Sequence, residues 1–218
     1  MKVIITGATG MVGEGVLHEC LLHPQVEKVL IINRKPSGFQ HQKLQEIVHE
    51  DFFDFTPLRG KLSGYDACFF CLGVSSIGMK EETFYHFTYE LTMHVAGKLL
   101  TENPGMTFCY ISGAGTDSTE KGKMMWARVK GKTENDLQKM GFRKVYNFRP
   151  GVLQSAPGLK NTLPAYKYFK VLIPLIKAIA PNRISTLKEL GLAMINAAKD
   201  GYAKNVLEVR DIKALAKN

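Results

Sequence analysis

The chain has 218 residues, enough for one domain with a full hydrophobic core and too few for a substantial second one. Hydrophobic residues make up 45% and charged residues 22%, and no apolar run reaches the roughly 18 residues of a membrane span, so a globular class is indicated and a transmembrane segment excluded. The net charge of +9 comes from 29 basic residues scattered along the whole chain, which speaks against a nucleic-acid partner and fits solvated faces plus an anionic ligand site.

The opening MKVIITGATG turns at Gly7 before a signal-peptide core can form, so a cytoplasmic location is expected. Residues 2–6 (KVIIT) predict a first strand and 11–22 the helix after it. VEKVLIIN (26–33) predicts a second strand and QEIVHED (45–51) a short third. DACFFCL (66–72) is apolar enough for a central strand of a parallel sheet. Its Cys68 and Cys71 spell C-x-x-C, but positions three apart on a strand point to opposite faces, so packing is expected rather than a metal or disulfide. A long helix is predicted from Glu81 to Thr101, then a fifth strand at 106–112, a helix at 122–140 and a sixth strand at 144–150. Helices follow at 165–180, interrupted by Pro174, and at 187–199, with a short strand at 205–209 and a closing helix. The alternation predicts one doubly wound parallel α/β domain, a Rossmann fold, with its frame in 1–155 and a short helical extension in 156–218.

Gly7, Gly10 and Gly13 stand three apart where the first strand ends and the first helix opens. Glycine there permits the tight turn, the approach of backbone N–H groups to a pyrophosphate, and close helix–sheet packing. The helix N-terminus then offers free amides and the positive end of its dipole to the phosphates. Past the second strand, where an NAD site usually has an acid for the ribose 2′-hydroxyl, the chain has Asn33, Arg34 and Lys35. A guanidinium there suits a 2′-phosphate, so NADP(H) is expected over NAD(H).

With these residues in view, the chain resembles the atypical branch of the short-chain dehydrogenase/reductase superfamily. More narrowly, it is similar to the Tat-interacting-protein type of oxidoreductase and to bacterial relatives often labelled NAD-dependent epimerase/dehydratase. The resemblance runs from residue 2 to about 155 and rests on TGATGMVG, CLG (71–73), ARVKGKTE (127–134) and FRPGVL (148–153) in that order. It implies cofactor contacts from Gly7, Thr9, Gly10, Met11, Val12 and Gly13. It further implies Asp51 and Phe52 against adenine, Cys71, Leu72 and Gly73 beside the ribose, and the backbone of Pro150, Gly151 and Val152 at the nicotinamide. Lys130 is implied as the lysine that holds the nicotinamide ribose, and Ser112 as the serine that orients a substrate carbonyl. Relatives with two serines in that loop usually use the second, which here is Gly113. Sugar-nucleotide enzymes of the superfamily carry a larger C-terminal domain than 156–218 can form.

The family's proton-donating tyrosine, four residues before the lysine, is replaced by Trp126, whose indole has no proton to surrender near neutral pH. Tyr166 and Lys170 form a literal Y-x-x-x-K beyond the helix that should carry the pair. Tyr85, His86, Tyr89 and Asp117 lie near the carboxyl ends of the strands, where surface or packing roles are the ordinary expectation. Three readings follow. The first is an NADP-dependent oxidoreductase acting on an unidentified small carbonyl or alcohol, with Trp126 at the tyrosine position. The second is a non-catalytic NADP(H)-sensing module. The third is a membrane-surface or assembly protein, based on the cationic, apolar stretch AYKYFKVLIPLIKAIA (165–180), which equally suits a substrate lid or a homodimer helix.

Overall fold

The computed structural model describes residues 1–155, 158–161 and 181–217. Seven parallel strands form one sheet: β1 (Lys2–Thr6), β2 (Lys28–Asn33), β3 (Leu44–Val48), β4 (Ala67–Phe70), β5 (Thr107–Ile111), β6 (Lys144–Arg149) and a last strand, Val206–Glu208. The spatial order is β3-β2-β1-β4-β5-β6 and then the last strand, as the doubly wound reading requires. The order reverses between β1 and β4, the crevice where such sheets bind ligands.

Both faces of this sheet are covered, which is why its central strands are apolar throughout rather than alternating. Val3, Ile5, Val29, Ile31, Phe69 and Phe148 face one core. Into it pack α1 (Met11–Leu22) and a C-terminal helix, Leu187–Asp200. Ile4, Leu30, Cys68, Phe70, Phe108 and Tyr110 face the other, against α3 (Leu91–Glu102) and α4 (Met125–Leu137). Cys68 lies in the second core and Cys71 against the first, on opposite faces as their spacing required.

Several boundaries differ from the sequence reading. The third strand stops at Val48, and the Asp51 carboxylate instead accepts the Phe53 N–H at 2.8 Å. The long helix expected over 81–101 is α2 (Glu81–Tyr85), a π turn (His86–Glu90) and α3, one run with an inserted wide turn. The helix expected over 122–140 opens at Met125. Asp117 holds residues 117–122 in a loop by accepting from the Thr119 N–H (3.0 Å), the Thr119 hydroxyl (2.6 Å) and the Gly122 N–H (2.6 Å). Local side-chain acceptors of this kind compete with the helix and win here.

Beyond β6 the chain makes β7 (Val152–Gln154), which pairs in parallel with β8 (Ile184–Thr186) outside the main sheet. Neither short strand was legible beforehand. Helix α5 (Leu187–Asp200) opens on a Thr186–Glu189 capping box. The last main-sheet strand is β9 (Val206–Glu208), followed by α6 (Val209–Leu215). Helices α1 and α5 approach closely because each offers a glycine. A Cβ on Gly15 would lie 2.7 Å from the Leu187 Cβ, and one on Gly191 2.8 Å from the Glu19 Cβ. The expected helix at 165–180, with Tyr166, Lys170 and Pro174, lies outside the described residues.

Candidate functional site

The turn from β1 into α1 is fixed by backbone meeting backbone. Gly7 has φ +74°, and a Cβ there would sit 2.7 Å from the Cys71 carbonyl oxygen. A Cβ on Gly13 would sit 2.1 Å from the Gly7 carbonyl oxygen, inside bonding repulsion. Gly10 is different. Its only close neighbour would be the Gly7 carbonyl oxygen at 3.4 Å, ordinary contact, and its φ of −96° suits any residue. The fold needs glycine at 7 and 13 but not at 10, where the bare backbone opens a place for a ligand at the N-cap of α1. Thr9 and Gly10 are exposed, while Met11 and Val12 are half-buried in the first turn.

Arg34 and Lys35 line the same cleft of about 800 Å³ as Gly7 and Thr9, and both are exposed. Asn33 is buried and serves the turn itself: its Nδ2 donates to the Glu46 Oε1 at 2.9 Å, which also accepts the Ser37 N–H at 2.9 Å. Sequence order hid this carboxylate, which arrives from the neighbouring strand and is occupied in bracing the loop. A second acid, Glu50, lines the cleft near Arg34.

A smaller hollow beside it is lined by Arg34, Asp51, Phe52, Leu72 and Gly73, together with Phe87 from the π turn. Phe52 is mostly core, packed edge-on against Phe55. The Cys71 thiol is half-buried and burial pushes its pKa up, so it is a packing group rather than a nucleophile.

Further along the carboxyl edge of the sheet, α4 is pressed onto the loop after β5. A Cβ on Gly131 would fall 1.8 Å from the Asp117 carbonyl oxygen, so only glycine permits that approach. The approach carries Lys130 to the end of β5, where its Nζ donates to the Ser112 carbonyl at 2.5 Å. Burial pushes the Lys130 ammonium down to about 8, with Glu134 acting in the opposite direction.

The Ser112 hydroxyl is committed elsewhere: it donates to the buried Glu134 carboxylate and lies 3.2 Å from the Phe148 carbonyl. Glu134 also receives Arg149 through Nε at 3.0 Å and Nη2 at 2.5 Å, and Arg149 Nη2 reaches the Ser118 hydroxyl at 2.5 Å. Sequence reading missed this Ser112–Glu134–Arg149–Ser118 network, whose members come from three segments, the loop after β5, α4 and β6.

Trp126, one turn before Lys130, walls a cleft of about 750 Å³ whose lining includes Gly113, Ala114, Pro150, Gly151 and Val152. The indole Cη2 would lie 3.4 Å from a Cβ on Gly115. Gly151 is sterically required, since a Cβ there would meet the Arg183 carbonyl oxygen at 2.1 Å. No tyrosine or histidine among the described residues lines this cleft. Tyr89 donates to Asp136 at 2.9 Å, Tyr85 packs on its ring, and His86 pairs with Glu90 at 2.6 Å and stacks on Phe53. Asp117, its carboxyl held below the usual range by the Thr119 hydroxyl and Gly122 N–H, organises its loop.

Comparison with known proteins converges on one family. Residues 3–119 match the pattern of the NAD dependent epimerase/dehydratase family. Protein HTATIP2 of Rattus norvegicus is 26% identical over 200 residues, covering 84% of this chain and 81% of its own. Protein fmp52-1, mitochondrial, of Aspergillus terreus is 26% identical over 161 residues, covering 70% of this chain and 66% of its own. Among solved structures, the Bordetella bronchiseptica enzyme WbmF in complex with NAD+ superposes with a TM-score of 0.67 at 14% identity, over 99% of this chain and 76% of that one. The UDP-N-acetylglucosamine 4-epimerase from Bacillus cereus does so with 0.67 at 17%, over 98% and 83%. No described helix is long and apolar enough to cross a membrane.

Proposed function

The chain belongs to the NAD dependent epimerase/dehydratase family, and from that premise we propose that it is an NADP(H)-dependent oxidoreductase of a small carbonyl or alcohol, working without the family's tyrosine. The observation that carries the proposal is the union, in one cleft, of Gly7 and Thr9 of the glycine loop, just before the N-terminus of α1, with the exposed Arg34 and Lys35. The pyrophosphate suits the free amides and dipole of α1. Arg34 and Lys35 suit a 2′-phosphate, and neither makes an ion pair among the described residues. Asp51, Phe52, Leu72 and Gly73 suit the adenosine half, and the backbone of Pro150 to Val152 the nicotinamide half. When bound, a nicotinamide dinucleotide supplies or accepts hydride.

The chain's own residues then have separable tasks. Lys130 holds the ribose hydroxyls and keeps a proton that leaves near pH 8. Ser112 is a positioning residue: its carbonyl aims Lys130 and its hydroxyl braces Glu134. Trp126 offers a flat wall and one N–H donor, so it orients a substrate without protonating it. A sugar-nucleotide substrate is disfavoured, since α5 and α6, which make up most of the described part of 156–218, pack onto the core rather than forming a separate substrate domain. We keep the cytoplasmic expectation, against the mitochondrial location named for the fungal relative; fractionation separates the two.

The test is NADPH oxidation with a panel of small aldehydes and ketones, for the wild type and Trp126→Tyr. Turnover that rises in Trp126→Tyr supports an enzyme whose frame survives around a replaced acid. Tight NADPH binding with no turnover in either protein moves the reading to a sensing module, which the lack of a tyrosine among the described residues lining the cleft around Trp126 favours.

A further inference from the structure

Glu14 is the one carboxylate in the first turn of α1 and is only 3% exposed. A charge so buried is tolerated only when its oxygens are bonded. Both are, by a distant part of the chain: Oε1 accepts the Lys160 N–H at 2.7 Å and Oε2 the Asn161 N–H at 2.6 Å. The carboxylate also sits in the first turn of α1, near the positive end of the helix dipole. Residues 160 and 161 are thereby tied to the helix that carries the glycine loop.

The tie has a consequence for the cleft. Lys160 and Asn161 line the same cleft as Gly7, Arg34 and Lys35, and the Lys160 side chain is exposed there. Its Nζ lies 5.4 Å from the ring centroid of Phe39, on the loop that follows β2 and carries Arg34. The ammonium therefore reaches from the post-β7 side of the cleft to the wall where Arg34 stands. No carboxylate pairs with it among the described residues. An exposed ammonium near an aromatic face is readily drawn to a stronger anion, because a ring quadrupole attracts it less than a phosphate does.

We propose that Lys160 is a second ligand for the cofactor's 2′-phosphate, facing Arg34 across the cleft, and that Glu14 is the positioning residue that brings it there. The pyrophosphate is the other anion available, but the contact with Phe39 sets the ammonium on the 2′ side, while the helix amides serve the pyrophosphate. This rests on the NADP(H) reading above and adds the residue that sequence order concealed, since Lys160 follows Arg34 by more than a hundred positions.

The experiment is calorimetric titration of NADPH and NADH into the full chain as wild type, Arg34→Ala, Lys160→Ala, Lys160→Arg and Glu14→Gln. Lys160→Ala should weaken NADPH binding about tenfold and leave NADH within about twofold, the size of one charge-assisted contact. Lys160→Arg should restore most of the loss. Glu14→Gln should show a smaller NADPH-selective loss that vanishes when combined with Lys160→Ala. If the wild type prefers NADPH and Arg34→Ala removes that preference while Lys160→Ala does not, the Lys160 inference is overturned and the NADP(H) reading stands. Equal losses for both cofactors in Lys160→Ala also overturn it, by moving the lysine to the shared pyrophosphate. A wild type that binds NADPH and NADH alike removes the NADP(H) reading itself, and Lys160 with it.

Discussion

The two ends of the proposed ligand cleft keep their shape by different means. Where β1 turns into α1, main chain touches main chain, and the geometry is secured by the absence of two methyl groups, at Gly7 and Gly13. Where β5, α4 and β6 meet, the geometry is secured by side chains: Glu134 collects Arg149 and Ser112 in a buried polar knot, and Lys130 is aimed by the Ser112 carbonyl. The first end tolerates almost no local change. The second leaves residue 126 free to vary, because neither the knot nor the contact of Lys130 with the Ser112 carbonyl passes through Trp126.

The contrast can be broken most forcefully at the knot. Glu134 is 1% exposed, and removing its carboxylate takes away the buried charge that pairs with the Arg149 guanidinium, leaving it the Ser118 hydroxyl and the longer Glu208 contact, and leaves the Ser112 hydroxyl only the Phe148 carbonyl. Glu134→Ala should cost about 3–5 kcal/mol of stability, as deletion of one partner of a buried pair does. Urea denaturation measures it, and a loss under about 1 kcal/mol would mean that water enters to replace the carboxylate.

Next come the glycines, which sharpen the comparison within one loop. Gly13→Ala forces a methyl into the Gly7 carbonyl and should destabilise by about 1–3 kcal/mol or more. Gly10→Ala meets only ordinary contact and should leave stability within about 0.5 kcal/mol, yet weaken dinucleotide binding. Thermal melts and NADPH titrations of the two variants should therefore rank them in opposite order. If Gly10→Ala binds normally, the N-cap of α1 is not the phosphate site.

Of comparable size in binding, though nothing in stability, is Arg34→Ala. It should weaken NADPH by about 1–3 kcal/mol and scarcely alter NADH. Equal losses in calorimetry would take the 2′-phosphate away from Arg34.

How much of this could be read beforehand follows the same division. The glycine turn was legible because Gly7, Gly10 and Gly13 stand three apart between a strand and a helix, although the Cys71 carbonyl that Gly7 must clear comes from just past the distant strand β4, and the doubly wound parallel class followed from apolar runs alternating with helices. Lys130 was legible only because ARVKGKTE resembles the family's active-site helix; the close approach of Gly131 to the loop at Asp117 shows itself only in three dimensions. The knot was not, since Ser112, Ser118, Glu134 and Arg149 are each unremarkable alone and meet only in three dimensions. Nor were β7 and β8, three residues each, too short for any period to declare itself. Glu46 explains the acid that was not expected by the β2 turn: it comes from the adjacent strand and is used up holding Asn33 and Ser37.

The smallest effect belongs to the lysine that both ends of the cleft would share through a bound cofactor. Burial lowers Lys130 from its ordinary 10.5 to about 8, so between those values the unfolded chain holds a proton that the folded chain has released. Stability should accordingly rise, modestly, as pH climbs from about 8 towards 10, the reverse of what a lysine with a raised value would give. Cofactor binding should act against this. Ribose hydroxyls and nearby phosphates favour the ammonium, so binding near pH 8 draws a proton from solvent, and NADPH affinity should fall above pH 8 by at most about tenfold per unit. Lys130→Met should flatten the affinity profile between pH 7 and 9.5, while Lys130→Arg, charged throughout, should flatten it at higher affinity. A wild-type profile that is already flat across that range would mean that the ammonium keeps its proton with or without the dinucleotide, and that Lys130 is anchored to the Ser112 carbonyl as structure alone.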